Sequence, residues 1–97
     1  MEIDVIRTSG DDTVVALWVA GRIRTVAVPR WAVAASLGLS GAAATAMSDH
    51  DCREFVRKRL GAVAAAADDK LSGSDPDADW VTLDAALLRR HDRQRVI

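Results

Sequence analysis

From Val14 to Val19 every position is apolar (Val14-Val15-Ala16-Leu17-Trp18-Val19). The run is β-branched and too short for a helix, and it reads as a strand with apolar residues on both faces. Ala20-Gly21-Arg22 supplies a tight connection, and Ile23 to Val28 returns as the second arm of a hairpin. Upstream, Glu2 to Thr8 reads as another strand with Ile3 and Val5 on one face, joined to the hairpin by the turn cluster Ser9-Gly10-Asp11-Asp12. Residues 2–28 therefore predict a three-stranded antiparallel meander.

Beyond Val28 the apolar period changes from two to about 3.6. Pro29 stops the strand and suits the first turn of a helix from Arg30 to about Leu37, with Gly38 as its left-handed terminator. Residues 39–47 carry no charge and no clear period, and they fit either a loop or a weak helical turn. Ser48 is a good cap ahead of Asp49 and Asp51, which suit the positive end of a helix dipole. Apolar side chains then recur at Cys52, Phe55, Val56, Leu60, Val63, Ala64, Ala67 and Leu71, one stripe of a long helix that ends at Ser72-Gly73-Ser74-Asp75-Pro76. Gly61 weakens its middle by up to about 1 kcal/mol relative to Ala and permits close backbone packing there. Trp80-Val81-Thr82-Leu83 predicts a short fourth strand. Asp84 caps a last helix through about His91, with Leu87 and Leu88 inward, and residues 92–97 form a frayed tail. The expected fold class is α+β: one domain with a three-stranded antiparallel β-meander plus a short fourth strand, packed against two or three helices.

Val14–Val28, Pro29–Gly38, Phe55-Val-Arg-Lys-Arg59 with Val63 and Ala67 behind it, and Trp80-Val-Thr-Leu83 follow one another as hairpin, short helix, long helix and closing strand. Over residues 13–84 this order resembles a family of small bacterial proteins known only as a domain of unknown function. The resemblance implies an α+β fold and brings with it no reaction, cofactor or site residue.

Composition changes the picture in two respects. The chain has 97 residues, 49% hydrophobic and 28% charged, which fits one globular domain and excludes a multidomain enzyme, a disulfide scaffold or wholesale disorder. Its apolar residues are small: 18 Ala and 11 Val stand against one Phe, three Trp and no Tyr. At roughly 25 cal/mol per Å² of buried apolar surface, each Ala contributes little, so stability is expected to be modest and self-association or a bound partner would add to it. The single cysteine, Cys52, fits a reducing compartment, and the acidic start Met1-Glu2-Ile3-Asp4 does not resemble a secretory signal. The uncharged stretch Trp31–Met47 is shorter than the ~20 apolar residues of a membrane span. A cytoplasmic protein without membrane contact is expected, and eleven Arg against two Lys suit a GC-rich bacterial or phage genome.

Candidate chemistry is sparse. His50 and Cys52 are two positions apart, so on a helix they point in different directions and cannot form a nucleophile–base pair. Cys52 also falls on the apolar stripe, where a free cysteine acts as a small hydrophobe. Asp75, Asp77 and Asp79 alternate like the opening of a calcium loop, but Trp80 stands where the loop needs Gly and Ala86 where it needs Glu. Gly38-Leu-Ser-Gly41 matches neither phosphate-binding glycine pattern. No catalytic residue, metal ligand or cofactor is expected, and the chain does not read as an enzyme.

Charge layout and Trp18 carry more. The net charge of −1 conceals a +3 stretch from Arg53 to Arg59, a −5 stretch from Asp68 to Asp84 and a +3 stretch from Arg89 to Arg95. On a helix, Arg53 and Arg57 lie one turn apart with Lys58 adjoining, and Glu54–Lys58 forms an i,i+4 pair. The bland account is a solvated helix face; the functional one is a basic surface of Arg53, Arg57, Lys58 and Arg59, joined by Arg89, Arg90 and Arg93. Trp18 shares a strand face with Val14 and Ala16, opposite Val15, Leu17 and Val19. The expectation is that helices cover both faces and Trp18 belongs to the core. The alternative is an open face that docks a partner or a second copy. The expected function is a small non-enzymatic interaction or regulatory protein that binds another protein, of the phage-inhibitor or adaptor kind, with a homodimer compatible. The alternative is a nucleic-acid-binding accessory protein using the basic helix and the Arg-rich C-terminus.

Overall fold

The hairpin anchors the architecture. In a computed structural model that describes residues 6–73 and 77–93, the side chains of Asp92 and Arg93 excepted, the apolar run is the central strand β2 (Asp12–Val19), paired antiparallel with β3 (Arg22–Pro29) from Asp12↔Pro29 to Val19↔Arg22. Ala20 and Gly21 both take positive φ, 52° and 90°, the two-residue turn whose twist matches that of the strands. β1 (Ile6–Ser9) pairs antiparallel with β2 on its other side; residues 1–5 of the expected first strand lie outside the described residues.

The helices follow in one segment. α1 (Arg30–Ser36) begins directly after Pro29 and closes as anticipated at Gly38, where Gly38 N–H donates to Ala35 O and Leu39 N–H to Ala34 O. Residues Gly41–Thr45 form the short helix α2, which buries none of its side chains. The expected long helix is two: α3 (Asp49–Arg57) and α4 (Leu60–Gly73). Ser48 and Asp51 make a reciprocal capping box at the start of α3. At its end, Arg59 N–H turns tightly onto Val56 O, and the Arg59 side chain folds back to donate to Phe55 O, its guanidinium 4.1 Å from the Phe55 ring centroid. Gly61, weak in helix propensity, follows this break. It is exposed rather than a site of close packing. The inward stripe of α4 is Ala62, Val63, Ala66, Ala67 and Leu71, with Leu60 and Ala64 only half-buried at its margin.

β4 (Trp80–Thr82) then joins β3, parallel to it, completing a mixed sheet in the order β1-β2-β3-β4. A parallel partner requires a crossover, and the helical segment provides it. Asp84 caps α5 (Ala85–Arg93), its carboxylate accepting from Leu87 N–H at 2.9 Å. Five helical segments thus stand where two or three were expected, because the long one breaks and 41–45 adds another. The core unites Val15, Leu17, Val19, Val26, Val28 and Val81 from one face of the sheet with side chains of α1, α3, α4 and α5. It is an α+β fold in two layers, as expected, with every core-forming helix on that one face.

Candidate functional site

Register defines the other face. Val14, Ala16 and Trp18 on β2 lie beside Ala27, Thr25 and Ile23 on β3, and Thr25 and Ala27 lie beside Trp80 and Thr82 on β4. None of these residues belongs to the helix-packed core cluster. Val14 and Ala27, at the centre, are nevertheless buried. Outward from them Trp18 is 64% exposed, Trp80 51% and Ile23 46%. The expectation that Trp18 sits in the core is therefore wrong, for a physical reason: the crossover lays its core-forming helices on one face only. Trp31, on the first turn of α1, is 60% exposed and lines a cleft beyond the end of β3, between Pro29 and Thr82 of the sheet and Ala44, Thr45 and Met47 of the helical segment. All three tryptophans are thus solvent-facing, while Phe55 is buried.

Local chemistry fixes these positions. Trp18 and Ile23 are direct cross-strand partners flanking the Ala20-Gly21 turn, the arrangement in which side chains of neighbouring strands pack on each other. The Trp80 indole N–H donates to Thr82 Oγ1 at 3.2 Å, tying the ring along its own strand. The loop before β4 is held from beneath. Arg24, only 4% exposed on the helix-covered face, donates from Nε to Val19 O at 3.0 Å and from Nη1 to Ala78 O at 2.7 Å. Arg22 reaches Asp77 O and pairs with Asp79 at 3.2 Å. Two of the alternating aspartates thus belong to a loop stapled by arginines; Asp75 lies outside the described residues.

The cleft at the Trp31 end has a volume of about 870 Å³ and carries Asp11, Asp12, Arg30 and Asp49. Arg30 donates to Asp49 and to Met47 O, and lies 3.9 Å from both Asp11 Oδ1 and Cys52 Sγ. The bond to Asp49 raises the Arg30 pKa above its ordinary value. Burial raises that of the Cys52 thiol, which keeps it neutral near pH 7 and a poor nucleophile. His50 is exposed while Cys52 is buried, so the two do not cooperate. Among the described residues no group of three or more His, Cys, Asp or Glu could hold a metal ion, and no helix is long and apolar enough to cross a membrane.

The basic candidates are spread over the helical layer and tied into it. Arg53 donates to Thr8 Oγ1 at 2.7 Å, fastening α3 to β1. Arg57 pairs with Glu54 at 3.1 Å, an i,i+3 contact in place of the expected Glu54–Lys58 pair. Arg59 lies over Phe55, and Lys58 is exposed. Arg89 donates to Ala35 O and Arg90 pairs with Asp69 at 3.4 Å, so α5 is fastened to α1 and α4. The side chain of Arg93 lies outside the described residues. Trp18, by contrast, shares its face with Ile23 and Trp80, two residues that the sequence reading did not single out. The signal available for them was strand parity, which puts Trp80 and Thr82 on one face and Ile23 beside Trp18. Comparison with protein-family models, curated proteins and solved structures finds no match.

Proposed function

We propose that the protein is a non-enzymatic interaction module that docks another protein chain on its open sheet face. The observation that carries this reading is the exposure of Trp18, Ile23 and Trp80 along that face, with Trp31 exposed on the neighbouring α1. Tryptophan has a large apolar body and a polar N–H, and it is the residue type most enriched where proteins bind one another. A sheet face bearing two of them and Ile23 in water keeps in place an apolar surface that association would remove from water. Charge favours a protein over a nucleic acid as the occupant. Exposed tryptophans can stack on bases, but phosphates need cations beside them. Arg7 is the described cation that register puts on the face; around it Asp11, Asp12, Asp77 and Asp79 outnumber Arg22 and Arg30, whose guanidiniums are engaged with Asp79 and Asp49. The clustered arginines lie on the helical layer.

The test is affinity capture by the immobilised full chain, comparing wild type with Trp18→Lys/Trp80→Lys and with Arg53→Ala/Arg57→Ala. The expected result is a captured protein, or retention of the soluble chain itself, that the tryptophan pair loses and the arginine pair keeps. Retention that survives the tryptophan substitutions overturns the reading. Salt-sensitive retention of single-stranded oligonucleotides, lost with the arginine pair, would establish the nucleic-acid alternative instead.

A further inference from the structure

We infer that the occupant of the open face is a second copy of this chain, packed sheet on sheet about a two-fold axis running along the strands between β2 and β3. This rests on the docking reading above and names the partner.

The first argument is area. A tryptophan side chain buries roughly 150–250 Å², so the exposed fractions of Trp18 and Trp80 leave on the order of 170–290 Å² of indole surface in water, with Ile23 in addition. One side of a standard interface is about 800 Å² and a little more than half apolar. Trp18, Trp80 and Ile23 together supply more than half of that apolar share. The sheet's β4 edge does not compete with it: β4 has three residues, a short edge of the kind that limits strand-to-strand addition.

The second argument is self-complementarity. A two-fold contact demands that residue i meet j while j meets i. Rotation about the stated axis lays β2 of one copy over β3 of the other. By the β2–β3 register, Trp18 then meets Ile23 of the second copy and Ile23 meets its Trp18, while Ala16 faces Thr25; Val14 and Ala27, level with each other beyond them, are already buried within each chain and add no contact surface. Bulk sits at one end and small side chains at the centre, a distribution that lets two twisted sheets approach to about 10 Å.

The third argument is charge. Arg7 and Asp12 are the charged residues that register puts on this face. The axis lays neither over its own counterpart. Arg7, level with Val14 and therefore with Ala27 and Thr82, falls over Thr82 of the second copy, two positions from Trp80 and within reach of its ring for a cation–π contact. Asp12 falls over Pro29. A contact free of like-charge pairs fits a second copy with no foreign charge required.

The experiment is sedimentation equilibrium of the full chain over a concentration series, with Trp18→Lys, Ile23→Lys and Arg57→Ala alongside and circular dichroism to verify folding. Wild type and Arg57→Ala should approach twice the 10.4 kDa chain mass, and the two face variants should remain at the single-chain mass. Trp18 and Ile23 are both exposed, so lysine at either position is compatible with the fold; Trp18→Gln serves where Trp18→Lys fails to fold. Orientation is read by mixing Trp18→Cys chains with Ile23→Cys chains: the disulfide between unlike chains should form several times faster than between like chains, the buried Cys52 staying silent. A wild type that is monomeric at every concentration overturns the second-copy assignment. The docking reading then stands or falls by whether the capture experiment yields a protein that the tryptophan substitutions lose. A dimer that both face variants leave intact also overturns the assignment, by putting the contact elsewhere.

Discussion

Arg24 is a guanidinium under a helical layer, and its position is set by the carbonyls it satisfies. Val19 O, at the end of β2, and Ala78 O, in the loop before β4, both accept from it, so one side chain joins the hairpin turn to the fourth strand. Hydrogen bonds from charged groups contribute more than neutral ones, and buried acceptors left unmatched cost about 1–3 kcal/mol each. Arg24→Met keeps the length and removes the donors; it should lower stability by about 2–4 kcal/mol, read from urea unfolding. A loss under about 0.5 kcal/mol, the range of an ordinary surface substitution, would show that the two carbonyls do not depend on Arg24. Cys52 makes a different residue-scale prediction. Burial raises its pKa above the ordinary 9.0, while the Arg30 guanidinium pulls the other way. The folded chain therefore keeps this proton where the unfolded chain has lost it. The resulting stabilisation is complete below pH 9 and disappears as pH rises from 9 through the raised value. Relative to Cys52→Ala, wild type should lose stability over that alkaline window and not below it, measured as urea midpoints in a pH series. A constant difference between the two chains across the series would remove Cys52 from the account.

At the scale of elements, the β2–β3 turn holds a strained residue. Ala20 sits at φ 52° ahead of Gly21 at 90°, and a left-handed conformation costs an alanine about 1–2 kcal/mol. Asn is favoured at the first position of this turn because it tolerates that region. Ala20→Asn should raise stability by about 1 kcal/mol, seen as a higher urea midpoint with an unchanged slope; no gain would mean the turn relaxes without penalty. The turn was legible because Ala-Gly interrupts two β-branched runs. Ser48 and Asp84 were legible as caps for a similar reason, since polar side chains before apolar periods have few other uses. Three things were not legible. The break after α3 depends on Arg59 folding back over Phe55, a contact no periodicity encodes. The inward face of α4 was read at Val63, Ala67 and Leu71 but not at Ala62 and Ala66, because residues 62–67 are all apolar and nearly all Ala, leaving no contrast to mark a phase. The parity of β3 was obscured at its start, where Arg22-Ile23-Arg24 alternates as if the arginines faced water. In fact Arg24 is buried and Ile23 is exposed. That inversion hid most of the candidate site: Trp18 was named from the sequence, but its companions Ile23 and Trp80 needed the register and the crossover.

For the whole molecule, a single helical layer on a four-stranded sheet leaves half of the sheet's side-chain surface outside the core. The chain is short and its core is dominated by Ala and Val, so apolar surface gained on the open face would add to a core built of small side chains. A second copy would convert that surface into a second core and couple folding to association. Mass action then links stability to concentration. Each tenfold rise in concentration adds about 1.4 kcal/mol per dimer, or about 0.7 kcal/mol per chain. For a domain of this size that corresponds to a Tm increase of roughly 3–6 °C per decade. Trp18→Lys should behave oppositely to an ordinary surface substitution: its Tm should be independent of concentration and meet that of wild type only at high dilution, where wild type has dissociated. The measurement is calorimetry of both chains over two decades of concentration. A concentration-dependent wild type beside a flat Trp18→Lys links folding to association through the open face. Two flat curves would mean that each copy folds alone and that the tryptophans are not covered by a second copy of the chain.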